Sequence, residues 1–226
     1  PLCALPVRAT TFTASNSTAS WKPPATFSAA QFREPVRPGK ATRKRKYCDH
    51  MRLGVYGMPA DREGLDYVVE AERLGVDSVW VPEFWGYDAL TGLGAIAALT
   101  DTIKLGTAIV QLDTRTPAML AMSAMSLQQL SGGRFLLGVG ASGPQVMEGW
   151  HGVPFAKPVR RTRETIEIIR MITAGERLVY DGEMYQLPLP GGEGKALRAA
   201  APPVHVPVYI ASLGPANLRL TGAVAD

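Results

Sequence analysis

From Met51 onward, short apolar runs alternate with segments of helical spacing, and this alternation limits the fold more than anything else in the sequence. Met51–Met58 reads as a first strand, Val76–Val81 as a second, Ile103–Val110 as a third, Arg134–Gly140 as a fourth and Val206–Ala211 as a fifth. Asp61 is placed to cap a helix that carries Leu65, Val68 and Val69 at helical spacing, with Gly75 at its end. Further helices are expected over Asp88–Leu99, from Thr116-Pro117 to Leu130, over Arg160–Thr173, and over Gly214–Ala223. Asp181-Gly182 between two short apolar runs signals a hairpin. Strands rich in Val, Ile and Leu that alternate with helices imply a parallel sheet joined by right-handed crossovers. Two architectures then remain, a doubly wound open sheet and a barrel.

The first fifty residues do not share this rhythm. Thr10–Pro38 is rich in Thr, Ser, Ala and Pro, and Arg43-Lys44-Arg45-Lys46 closes the segment. Residues 1–50 are therefore expected to be a disordered stretch outside the domain formed by 51–226. A transit peptide, a nucleic-acid or nuclear-import patch, and a stretch lying upstream of a protein that starts at Met51 all fit it. Residues 1–50 hold nine basic and two acidic residues, so the remaining fifteen basic and eighteen acidic residues leave the body slightly negative. That body has no broad basic field to attract nucleic acid. No apolar run approaches the roughly 18–20 residues that span a bilayer. Both cysteines, Cys3 and Cys48, precede Met51, which fits a cytoplasmic setting. His151 and His205 lack partners at metal-ligand spacing, so no metal site is expected.

Gly138-Val-Gly140-Ala-Ser-Gly143 is a literal G-x-G-x-x-G. In a dinucleotide-binding fold it would admit a pyrophosphate to a helix N-terminus. Here it follows the fourth strand, not the first, and Pro144 and Gly149-Trp150-His151-Gly152 interrupt any long helix behind it. The acid about twenty residues on, Glu164, falls inside a predicted helix. These features argue against that fold, although the glycines would still let an anion approach the backbone.

Several segments resemble the luciferase-like family of flavin and deazaflavin enzymes. They are Ala71–Glu83, Ile103–Val110 with Arg115-Thr-Pro117, Leu130-Ser-Gly-Gly-Arg-Phe-Leu-Leu-Gly-Val-Gly140, and Val208-Tyr-Ile-Ala211 with Gly214-Pro215. Ala141–Gly152 is similar to the branch that uses coenzyme F420. The resemblance implies a (β/α)8 TIM barrel, here incomplete at about its first five β/α units, with the site at the carboxyl ends of the strands. It implies an oxidoreductase that moves a hydride between coenzyme F420 and a small organic substrate, or alternatively an FMN-dependent monooxygenase or a non-catalytic binder. Relatives of this kind are often homodimers. They continue past the position of Asp226, so the chain is expected to be truncated, and its open edges to favour aggregation.

The resemblance also nominates residues. Glu83 ends the second strand and is the candidate acid/base, or an ordinary surface carboxylate. The sugar-phosphate dehydrogenase branch carries an Asp-His pair at the positions of Glu83 and Phe84, and Phe84 cannot move a proton. Ala108 and Ile109 lie where relatives place a non-proline cis peptide behind the cofactor ring. Gly140, Ala141, Ser142 and Gly143, with Ala211, Ser212 and Gly214, would face the ribityl chain and phosphate. Arg115 would reach the mouth. Lys157, Arg160, Arg161 and Arg163 would form a solvated helix face or meet an acidic cofactor tail. Trp85 would line a substrate pocket and Trp80 the core.

Overall fold

A computed structural model describes residues 52–226, and the expected disorder of residues 1–50 lies outside them. Strands β1 (Gly54–Tyr56), β2 (Ser78–Val81), β3 (Lys104–Thr107), β4 (Val110–Gln111), β5 (Phe135–Gly140) and β8 (Val208–Ala211) form one sheet. Every pairing in it is parallel. β6 (Tyr180–Asp181) and β7 (Gln186–Leu187) make the expected antiparallel hairpin apart from that sheet. The helices are α1 (Arg62–Arg73), α2 (Ala89–Leu99), α3 (Pro117–Leu130), the short α4 (Pro144–Met147), α5 (Pro158–Thr173) and α6 (Pro215–Val224). Among the described residues, no helix is long and apolar enough to cross a membrane.

Local chemistry sets the helix ends. Asp61, Asp88 and Thr116 each accept a bond from the backbone amide three residues on, at 2.8, 2.8 and 3.1 Å. Pro117 occupies the first turn of α3, where its missing amide costs nothing. Gly75 follows α1 at φ 82° and Gly175 follows α5 at φ 74°, the left-handed geometry that closes a helix.

β3 and β4 are one strand with a break. Leu105 and Gly106 pair with Phe135 and Leu136, whereas Val110 and Gln111 pair with Val139 and Gly140. Residues 107–109 on one strand therefore oppose 137–138 on the other, which is a bulge. The cis peptide Ala108–Ile109 sits inside it, where the family resemblance placed one. The Thr107 hydroxyl bridges the gap, accepting from the Gly138 amide at 2.8 Å and donating to its carbonyl at 2.7 Å. These bonds satisfy backbone groups that the break would otherwise leave unpaired.

Counting β3 and β4 once, the strands lie side by side in chain order. A doubly wound sheet reverses its order at a switch point and carries helices on both faces. Here Val79, Val81, Leu105, Val110, Leu137, Val139 and Val208 share one buried cluster with Val68, Leu93, Ile96, Leu120 and Ile168 of the helices. By strand alternation these residues all lie on the same face, so the helices clad that face. The arrangement is that of a barrel wall, and the doubly wound alternative is excluded. On the other face the Trp80 ring lies over Gly106, whose added Cβ would stand 2.3 Å from Trp80 Cε3, and meets Tyr209 edge-on at 5.4 Å.

Arg134, the cation of the Ser-Gly-Gly-Arg motif, belongs to the opposite end from the mouth. It donates to the carbonyls of Thr100 and Ile103 at 2.7 Å each and of Ala97 at 3.2 Å. It thereby satisfies the orphaned carbonyls at the end of α2 and ties them to the start of β3.

Candidate functional site

Because the strands are parallel, Val81, Gln111, Gly140 and Ala211 end at one rim. Gln111 pairs with Gly140, and Gly140 with Ala211, so these three residues form a single row across it. Gly140 keeps that row tight, since a Cβ there would lie 3.0 Å from Ile109 and 3.3 Å from Ala211. Gly138 is stricter, because its Cβ would fall 1.9 Å from the Thr107 carbonyl oxygen. Two glycines of the G-x-G-x-x-G are thus explained by the bulge beside them and not by a pyrophosphate. Ser142 is exposed at φ 60°, and Gly143 directly precedes the four-residue α4.

Glu83 stands at the same rim, but its carboxylate is engaged. Arg115 Nη1 and Nη2 donate to Glu83 Oε1 and Oε2 at 2.8 Å each, and the Ala89 amide at the head of α2 donates to Oε2 at 3.1 Å. Arg115 also pairs with Asp88. The fork-to-fork bond with Glu83, aided by both carboxylates, holds the Arg115 guanidinium above its ordinary pKa, although burial works against it. For Asp88, burial opposes the charge, but the bonds from Thr91 and the charge of Arg115 outweigh it and keep the carboxyl below its usual range. This arrangement ties the loop after β2 to Arg115 and to the head of α2. A proton-shuttling Glu83 would first have to leave Arg115.

Gln111 is 2% exposed, and the sequence reading did not single it out. Its Nε2 donates to the carbonyls of Glu83 at 2.7 Å and Phe84 at 3.2 Å, which fixes the orientation of the amide. Its Oε1 is buried and finds no donor among the described residues. The signal was a lone amide inside the apolar run Ala108–Leu112. A buried acceptor without a donor is costly unless something fills the need.

The other nominated groups are distributed unevenly. Ser212 bonds the Thr221 hydroxyl of α6. The basic cluster at the start of α5 is paired off: Lys157 and Arg160 with Glu183, Arg161 with Asp113, and Arg163 with Glu167 at 3.9 Å. Asp113 also accepts from the hydroxyl of Tyr185 in the hairpin. Burial and that carboxylate push the Tyr185 pKa up to about 12. Trp85 lines a cleft of about 210 Å³ with Phe84, Tyr87, Trp150, Gln111 and Arg115. Trp80, expected in the core, lies on the face away from the helices and is only partly buried.

A parallel sheet in chain order, clad on one face and ending in a rim of small residues, defines a barrel-type α/β enzyme fold. The family model for the luciferase-like monooxygenases matches residues 44–226, and the chain belongs to that family. It is 42% identical over 183 residues to a Mycobacterium tuberculosis protein provisionally assigned as a coenzyme F420-dependent oxidoreductase, covering 78% of this chain and 53% of that one. It is 37% identical over 180 residues to an F420-dependent glucose-6-phosphate dehydrogenase of Beutenbergia cavernae, covering 74% and 52%. Among solved structures it is similar to the coenzyme F420-dependent tetrahydromethanopterin reductase of Methanopyrus kandleri, with a TM-score of 0.65 at 25% identity over 77% and 54% of the two chains. The chain spans about half the length of the curated relatives it matches.

Proposed function

We propose that this chain forms the cofactor side of a coenzyme F420-dependent oxidoreductase that passes a hydride between the deazaflavin and a small organic molecule. The row Gln111, Gly140 and Ala211 carries the reading, since it joins a floor of small residues to a buried carbonyl oxygen in need of a donor. A flat heterocycle bearing ring N–H groups suits both features. The F420-dependent relatives support the choice of cofactor. When bound, the cofactor would supply the hydride, and the protein would bind, orient and exclude water.

In this proposal Ala108 and Ile109 back the ring, while Gly140, Ala141, Ser142, Gly143, Ala211, Ser212 and Gly214 follow the tail. Glu83 acts chiefly by positioning: with Arg115 it locks the loop after β2 to the loop after β4. A small-molecule substrate, a cytoplasmic setting and a homodimer belong to the same proposal.

Titration of the full chain with coenzyme F420 and, separately, with FMN tests it by cofactor absorbance and fluorescence. Saturable binding of F420 is expected, weakened roughly fivefold by Gln111→Leu, the worth of about one hydrogen bond. Tight FMN binding with none of F420 would overturn the reading.

A further inference from the structure

Four aromatic rings stand in the lining of the cleft beside Gln111. Phe84, Trp85 and Tyr87, from the loop after β2, are 54%, 62% and 68% exposed, and Trp150, from the segment after α4, is 63% exposed. Four large rings around one cavity form a surface suited to stacking. Phe84 and Trp85 stand 6.0 Å apart at 59° and present differently tilted faces.

The charges in the lining narrow the occupant. Among the described residues, Arg115 is the one arginine or lysine in the lining, against the two acidic side chains Glu83 and Asp88. Both terminal nitrogens of the Arg115 guanidinium are already engaged by these carboxylates. A phosphate would meet a cleft whose one guanidinium is taken, and freeing that guanidinium would leave the nearly buried Glu83 without its partner. A cationic ligand would find both carboxylates already engaged by Arg115. We infer that this cleft takes a flat, uncharged, conjugated molecule and rejects phosphorylated ones, in contrast to the substrate for which the Beutenbergia cavernae relative is named. The inference rests on the reading of this rim as the cofactor and substrate end.

Quenching of tryptophan fluorescence in the full chain tests it, with 2-acetylnaphthalene and glucose 6-phosphate as probes, each with and without coenzyme F420. Saturable binding of the ketone is expected, with no binding of the sugar phosphate over the same range. Trp150→Ala should weaken the ketone about fivefold, the effect of one lost aromatic face, and Trp150→Phe should restore most of it. Tighter binding of the sugar phosphate, or ketone affinity unmoved in Trp150→Ala, overturns the inference. Binding of F420 without the ketone overturns it too and leaves the cofactor reading standing. Ketone binding without F420 supports the inference and removes the cofactor.

Discussion

The two faces of the sheet are built from the same strands and behave as different materials. On the helix side, Val79, Leu105, Leu137, Val139 and Val208 are fully buried and share one apolar cluster with residues of the helices. On the other side, glycines alternate with rings: Gly54, Gly106, Gly138 and Gly140 with Tyr56, Trp80 and Tyr209. Tyr56 and Tyr209 are 54% and 42% exposed. The comparison teaches that packing among the described residues is divided between the faces. One face is a packed interior made by local βα units. The other is a glycine-lined surface over which a ring can lie, and Trp80 on Gly106 already does so.

Substitution should separate the two materials. Gly138→Ala should be the most damaging change, above about 4 kcal/mol or enough to prevent folding, because its Cβ would collide with a backbone carbonyl that cannot yield. Gly106→Ala meets a similar overlap, but with the Trp80 ring on the partly open face. It should cost much less, and equal losses in urea unfolding would break the distinction. Leu137→Ala should follow, at about 2–5 kcal/mol. Tyr209→Ala should stay below about 1 kcal/mol, as expected for a partly exposed ring. A large loss at Tyr209 would mean that the inner face is a true core.

A comparably small effect concerns pH. Burial opposes the charge of Glu72, but the amides of Ile103 and Thr102 outweigh burial and hold the carboxyl below its usual range. A carboxyl depressed on folding stabilises above its unfolded value, near about 4.3, and that stabilisation fades as pH falls through the folded value. Glu72→Gln should therefore lower the thermal midpoint at pH 7 by an amount worth about 1 kcal/mol and flatten its fall below about pH 4. An unchanged acid limb would show that the loop before β3 holds without the carboxylate.

Much of the fold was legible because its signals are local. Asp61, Asp88, Thr116-Pro117 and the closing glycines mark helix ends within a few residues, and the strand runs carry their own apolar pattern. The break in the third strand was not legible as a bulge, since it depends on the Thr107 hydroxyl reaching Gly138, 31 residues away. The site was legible in outline only. The resemblance placed Glu83 at the rim, but its bond with Arg115 joins residues 32 apart, which neither local segment could announce. Gln111 was passed over because one amide in an apolar run reads as an ordinary strand residue until its neighbours are known. The Ser-Gly-Gly-Arg motif, part of the Leu130–Gly140 resemblance, contributes architecture at the end of the sheet away from the mouth.

Asp113 carries a consequence for how the mouth can move. It lies two residues beyond Gln111 and receives both Arg161 of α5 and Tyr185 of the hairpin. Glu164 of α5 in turn holds the hairpin through the amides of Glu183, Met184 and Tyr185. The hairpin is outside the main sheet, yet it is moored to the rim at one end and to a helix at the other. Nicking the chain between Asp181 and Gln186 would thus be felt at the floor of the cleft, where Gln111 awaits a donor.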